Sequence, residues 1–68
     1  MKRQMTGDEF KQNRRVLGLS VRECAHIMNV NERVLRKWES GTSLGPHPSS
    51  ARIMEWMLDG FRPPEWPE

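Results

Sequence analysis

The sequence has no tyrosine, a single cysteine and two phenylalanines, and no apolar run approaches the ~20 residues that span a bilayer. One cysteine cannot close a disulfide within the chain, and it suits a reducing compartment. Cys24, His26 and His47 have no ligand spacing among them, so no metal site is expected. His26 reads as an exposed helix residue and His47 as a loop residue. No nucleophile–base pair, phosphate-binding loop or metal triad is found, so an enzyme is not expected, nor is a small-molecule cofactor. The opening MKRQMTGDEF has basic residues but no apolar core and does not read as a signal peptide. Together these absences lead to the expectation of a soluble, cytoplasmic protein with no membrane partner.

Sixty-eight residues suffice for a single domain with a limited core, since a chain near this size buries only about 60% of the surface it exposes unfolded. Without a disulfide or a metal, stability must come from close helix packing or from a partner subunit. The net charge is +2 and the pI near 9.2, but the charge is unevenly spread. Residues 1–37 carry nine Lys/Arg against four Asp/Glu; residues 38–68 carry two against five. A basic front and an acidic back suit a surface that meets phosphates on one side; a mixed, solvated surface is the alternative.

Strand signals are scarce and helix signals frequent, so the fold class expected is all-α. Thr6 with Glu9 three residues on forms a capping-box pattern, and Asp8 and Glu9 suit the positive end of a helix dipole. The first helix should run to about Leu17, with Gly18 as its stop. Ser20 and Glu23 repeat the capping box for a short second helix over about Val21–Met28, whose Val21, Cys24, Ala25 and Met28 share one face while Arg22 and His26 point away. Asn29-Val30-Asn31 is the turn: Asn29 tolerates a left-handed backbone and Asn31 is a good N-cap. A third helix follows over about Glu32 to Glu39 or Ser40, ended by Gly41. Thr42–Ser50, rich in Gly, Pro and Ser, reads as a loop. A fourth helix covers about Ser49–Asp59 with Gly60 as its stop, and the proline-rich tail FRPPEWPE cannot be helical throughout.

The third helix divides sharply. Leu35 and Trp38 lie on one face, with Asn31 one turn back, and that face is expected to point inward. Arg33, Arg36 and Lys37 fall on the opposite side. Such a face is usually just solvated, but here it follows a capped helix of about eight residues through a three-residue turn. That spacing is that of a helix-turn-helix unit, whose second helix enters the DNA major groove. On the first helix, Phe10, Arg14 and Leu17 form one stripe, so Arg14 is expected to point partly inward, where a guanidinium needs a partner. Glu39 is the candidate partner; snorkelling of Arg14 to solvent is the alternative.

Residues 9–41, EFKQNRRVLGLSVRECAHIMNVNERVLRKWESG, resemble the phage-repressor/Cro-like helix-turn-helix family (the xenobiotic-response-element type). The likeness rests on Arg14, the run Leu17-Gly18-Leu19-Ser20, Ala25, Val30-Asn31, Leu35, Trp38-Glu39 and Gly41, and covers about half the chain. It implies a compact, lambda-repressor-like bundle of four or five helices that docks on double-stranded operator DNA, commonly as a homodimer on a palindromic site. Members are mostly transcriptional regulators, often repressors. By this likeness Arg14 and Glu39 match a buried ion pair, and Asn31, Glu32, Arg33 and Lys37 match positions that face DNA. Arg33 and Lys37 can donate to guanine O6 and N7, and Glu32 can accept from cytosine N4. Val34 flanks this face and can touch a thymine methyl; Arg36 is placed for phosphate; Ser20 opens the second helix, whose amides can bind phosphate. The chain departs from the pattern in four places. Val21 stands where many relatives carry a DNA-contacting glutamine, a contact that Arg22 can replace. Asn29 replaces the usual turn glycine, Cys24 replaces the usual leucine and reads as a small buried residue, and no clear fifth helix follows. The expected function is a regulator of its own operon, encoded by a phage or mobile element, as with anti-CRISPR-associated repressors. The alternative is an antitoxin or anti-repressor type of protein-interaction module acting through the apolar fourth helix.

That fourth helix carries Ile53, Met54, Trp56, Met57 and Leu58, with Phe61 just beyond: too broad an apolar arc for one narrow stripe. Met28, Met54 and Met57 read as core filler. Either Ile53 and Trp56 meet a second subunit, or the tail folds back and Trp66 covers that surface.

Overall fold

The computed structural model describes residues 5–41 and 45–67. Residues 42–44 of the expected loop, and Lys2, Arg3 and Glu68 of the charge count, lie outside the described residues. Four helices make up the described chain: α1 (Gly7–Val16), α2 (Val21–Met28), α3 (Glu32–Ser40) and α4 (Pro48–Leu58). No strand occurs among the described residues, and none of the helices is long and apolar enough to cross a membrane.

Both expected capping boxes form. The Thr6 Oγ1 accepts the Glu9 N–H at 3.1 Å while the Glu9 carboxylate accepts the Thr6 N–H at 2.9 Å, and Ser20 and Glu23 repeat the exchange at the same distances. Each box satisfies two of the donors that a helix start leaves without partners. Asn31 caps α3, its side-chain oxygen accepting the Arg33 N–H at 2.8 Å. The α4 boundary differs from expectation by one residue. The helix begins at Pro48, because proline at the first helical position loses no hydrogen bond, and His47 caps it by accepting the Ser49 N–H at 3.3 Å.

Three helices end in one pattern. A residue one or two positions beyond the helix donates to a carbonyl three residues back, and the next residue donates five back: Gly18→Arg15 and Leu19→Arg14, Asn29→His26 and Val30→Ala25, Gly60→Met57 and Phe61→Trp56. Asn29 sits in the left-handed region at φ 57° and ψ 45°, the one described non-glycine residue to do so. This arrangement also brings an apolar residue beyond the end against the last turn; at α4, Phe61 meets Trp56 edge-on at 6.3 Å.

The core gathers Phe10 from α1, Leu19 from the following turn, Cys24, Ala25, Ile27 and Met28 from α2, Leu35 from α3, and Met54 and Met57 from α4. The α2 face is one residue broader than the sequence pattern, since Ile27 joins it. Trp38 packs edge-on against Phe10 at 5.8 Å. The tail folds back: Pro63 is buried, Trp66 is half-buried against the core, and the Arg62 guanidinium lies 4.2 Å above the Trp66 ring while donating to the Met57 and Phe61 carbonyls.

At the start of α1 the packing is backbone on backbone. Gly7 is buried, and a Cβ there would overlap the Trp38 carbonyl oxygen at the end of α3. Gly45 closes the junction from a third side, with its Cβ position 3.3 Å from the Met5 carbonyl oxygen. Gly7→Ala therefore forces the start of α1 and the end of α3 apart and is expected to cost at least ~2–3 kcal/mol in urea denaturation. A loss below ~0.5 kcal/mol contradicts this junction.

Candidate nucleic-acid interface

Residues Asn29–Asn31 join α2 to α3, and the two helices pack together through the core. Along α3, Leu35 is fully buried and Trp38 half-buried, whereas Arg33, Val34, Arg36 and Lys37 are exposed and Glu32 is half-buried. Val34 has 41% of its surface in water. Asn31 corrects one expectation. It is exposed rather than on the inward face, because an N-cap has extended backbone and its side chain turns back onto its own helix.

Two of the α3 residues are linked on the surface: an Arg36 guanidinium nitrogen lies 3.5 Å from a Glu32 carboxylate oxygen, one helical turn away. Lys37 is exposed, and its carbonyl accepts the Ser40 hydroxyl at 2.9 Å. Ser20 and Arg22, at the start of α2, are exposed. The Ser20 N–H is donated to the Glu23 carboxylate and the Glu23 N–H to the Ser20 hydroxyl oxygen, so this helix start offers a phosphate the Ser20 hydroxyl proton and the amides of Val21 and Arg22.

The inner side of α3 is held by a charge pair. Arg14 Nε donates to Glu39 Oε2 at 2.8 Å and Nη2 to Oε1 at 3.0 Å, while Nη1 donates to the Leu19 carbonyl at 2.9 Å. The two side chains keep only 11% and 8% of their surface in water. The hydrogen bond to Glu39 raises the Arg14 pKa above its ordinary value, against the opposing effect of burial. Among the described residues no buried side-chain polar atom lacks a partner. Cys24 lies near this pair as a buried free thiol, pushed up to about 12 by burial and then by the Glu39 charge, with Arg14 opposing.

The other expected site residues lie apart from α3. Ile53 is half-buried against the core; Trp56 on α4 and Phe61 beyond it stay 49% and 48% exposed although the tail folds back. A groove between α1 and α4 is lined by Asp8, Glu9 and Glu55 with Met5 and Leu58, and includes none of the residues expected to meet DNA. No group of three His, Cys, Asp or Glu suited to a metal occurs among the described residues. The sequence reading passed over Gly7 and the Leu19 carbonyl, which no local pattern reveals. The Glu32–Arg36 pair, in contrast, has the spacing of four that a helix surface favours.

No protein family, characterised protein or solved structure matches this chain.

Two measurements check the inner side of the site. Arg14→Met or Glu39→Leu alone leaves one charge buried without its partner and is expected to cost ~3–5 kcal/mol, whereas the double substitution recovers most of that loss. Additive losses in that cycle contradict the pair. The Cys24 thiol is expected to react with a disulfide reagent at pH 8 at least ~100-fold more slowly in the folded protein than in urea, because it stays protonated and covered; equal rates overturn its placement.

Proposed function

We propose that this chain is a sequence-specific DNA-binding regulator of the phage-repressor/Cro-like helix-turn-helix type, with α3 as the reading helix. The observation that carries the reading is the division of α3. Its inner side is fixed by Leu35, by Trp38 and by Glu39 on Arg14, and its outer side presents Arg33, Val34, Arg36 and Lys37 to solvent from a backbone that cannot roll.

In the major groove, Arg33 and Lys37 are donors matched to guanine O6 and N7, Val34 offers a methyl-sized contact to thymine, and Asn31 and Glu32 sit at the end nearest the bases. Glu32 accepts from a base amino group such as cytosine N4. Arg36, Arg22 and the Ser20 hydroxyl serve the phosphates, which set affinity and register without reading sequence. Occupation of a promoter then represses transcription by excluding the polymerase. Repression of its own operon, in a phage or mobile element of the kind that carries anti-CRISPR-associated repressors, is the setting we infer by analogy. Such a regulator works in the cytoplasm, where its lone thiol stays reduced.

A second reading has one observation in its favour. Trp56 and Phe61 keep about half their surface in water, which suits an antitoxin or anti-repressor type of module that grips another protein. The two readings differ in salt dependence. Each phosphate neutralised adds about −0.9 to the slope of log affinity against log salt, whereas an apolar protein contact is nearly indifferent to salt.

Selection from a random-sequence duplex pool, followed by affinity measurements over a salt series, tests the proposal. Arg33→Ala is expected to lose ~1–3 kcal/mol at one base position and to relax the choice of base there. Arg36→Ala is expected to weaken all sequences alike and to lower the salt slope by about one. If both variants bind the selected duplex as the parent does, α3 is not the reading helix.

A further inference from the structure

Two carboxylates lie on α3, and they are placed differently. Glu39 is buried on Arg14, on the inner side of the helix. Glu32 keeps 41% of its side chain in water and lies on the edge of the outer side, in a row with Arg36 one turn on. An Arg36 guanidinium nitrogen stands 3.5 Å from its carboxylate. The same side presents Arg33, Arg36 and Lys37 to solvent. So a cationic surface, suited to phosphates of any sequence, has one anion set into the end nearest Asn31.

Helix stability accounts for little of that placement. A carboxylate in the first turn suits the helix dipole, and a Glu–Arg pair four residues apart helps the helix. At this exposure both effects are small, and Asn31 already caps α3 by accepting the Arg33 N–H. In the groove of a duplex the same carboxylate opposes affinity. It meets a polyanion, and it competes with phosphate for the guanidinium of Arg36. What it can gain is selective. A carboxylate accepts hydrogen bonds and donates none. In the major groove only cytosine N4 and adenine N6 offer it amino protons, whereas guanine O6 and thymine O4 turn oxygen lone pairs toward it.

We propose that Glu32 is a specificity-determining residue that works by rejection. It holds Arg36 while no phosphate is near, and it lowers the affinity of α3 for every duplex that sets no base amino group against it. Glu32 thus sharpens the choice of site by weakening the wrong sequences rather than by tightening the right one. The inference rests on α3 being the reading helix.

Glu32→Gln in the full chain tests it, with affinities measured at one salt concentration for a random-sequence duplex and for the duplex that the parent selects. The variant loses the charge and keeps the length, and circular dichroism checks that it folds. It is expected to bind the random duplex about three- to tenfold more tightly and the selected duplex no more tightly than the parent does, so selectivity falls by about the same factor. At one position the parent is expected to require cytosine or adenine and to lose about tenfold or more on guanine or thymine, a preference that the variant relaxes. In an Arg36→Ala background the gain on random duplex is expected to shrink by about half or more, because Glu32 then has no guanidinium to release. A random-duplex affinity that is unchanged or weaker overturns the proposal, since replacing a residue that serves only the helix start weakens every duplex. An equal gain on the random and the selected duplex overturns it too, because the carboxylate then repels without choosing. So does an equal gain in the Arg36→Ala background. Arg33→Ala separates the two claims. If that variant binds as the parent does, α3 is not the reading helix and both fall; if it relaxes its own base position while Glu32→Gln changes nothing, only the role of Glu32 falls.

Discussion

A guanidinium and a carboxylate, both nearly out of water, hold α3 in its rotational setting. Apolar contacts through Leu35 fix how near α3 comes to its neighbours, but a hydrophobic contact has no direction and tolerates a helix that slides or rolls. The Arg14–Glu39 pair has direction: two parallel N–H···O bonds must align, and a third donor must reach the Leu19 carbonyl. Rolling α3 by one residue, 100°, would carry Glu39 away from Arg14 and leave both charges buried alone, at a cost of several kcal/mol. The same roll would press one of the α3 cations against the core. The pair therefore decides which side chains α3 shows to solvent, although it touches none of them.

Backbone contacts complete the restraint. The turn before α3 is fixed by Asn29 in its left-handed conformation and by the Val30 N–H on the Ala25 carbonyl. The end of α3 is pressed against the start of α1, where only glycine at position 7 leaves room for the Trp38 carbonyl. Thus a nine-residue helix, too short to persist alone in water, is pinned at its start, middle and end. The long side chains on its outer face are exposed, so the backbone is placed in advance while the charged heads lie in water. That combination suits recognition of a surface whose phosphates and base edges need fitting over an ångström or two.

How much of this was legible follows from how local each cause is. Both capping boxes, Thr6 with Glu9 and Ser20 with Glu23, are three-residue patterns and could be read directly. The stop at Asn29 was readable because few other residues accept that backbone. Arg14 announced a buried partner because it interrupts an apolar stripe. Asn31 was misplaced because helical periodicity was extended to a cap, where the backbone is not helical. Gly7 was passed over since its importance comes from a helix thirty residues away, and Pro46, fully buried, looked like any loop proline. The folding back of the tail with Trp66 was one of two alternatives the sequence left open, and the packing of Trp66 against the core decides for it. The outward direction of Arg33, Arg36 and Lys37 was legible from the 100° step. That they meet DNA was not, because a charged helix face is most often only solvated; that step rests on the family resemblance.

The two Arg–Glu pairs of this protein show how burial turns one chemistry to opposite ends. Arg14 and Glu39 keep about a tenth of their surface in water, and breaking them leaves charge in a medium that cannot solvate it. Arg36 and Glu32 are 67% and 41% exposed at 3.5 Å, a pair worth about 0.3–0.5 kcal/mol that water replaces at little cost. The first pair is permanent and sets geometry. The second holds two heads apart from the solvent only loosely, so under the proposed reading Arg36 exchanges a carboxylate for a phosphate with a small penalty. Glu32 is then left beside the bases without its cation. A carboxylate in that position would be tolerated only where a base offers it an amino group, so on the proposed reading the arginine that adds affinity for every duplex would also expose the residue that rejects most of them.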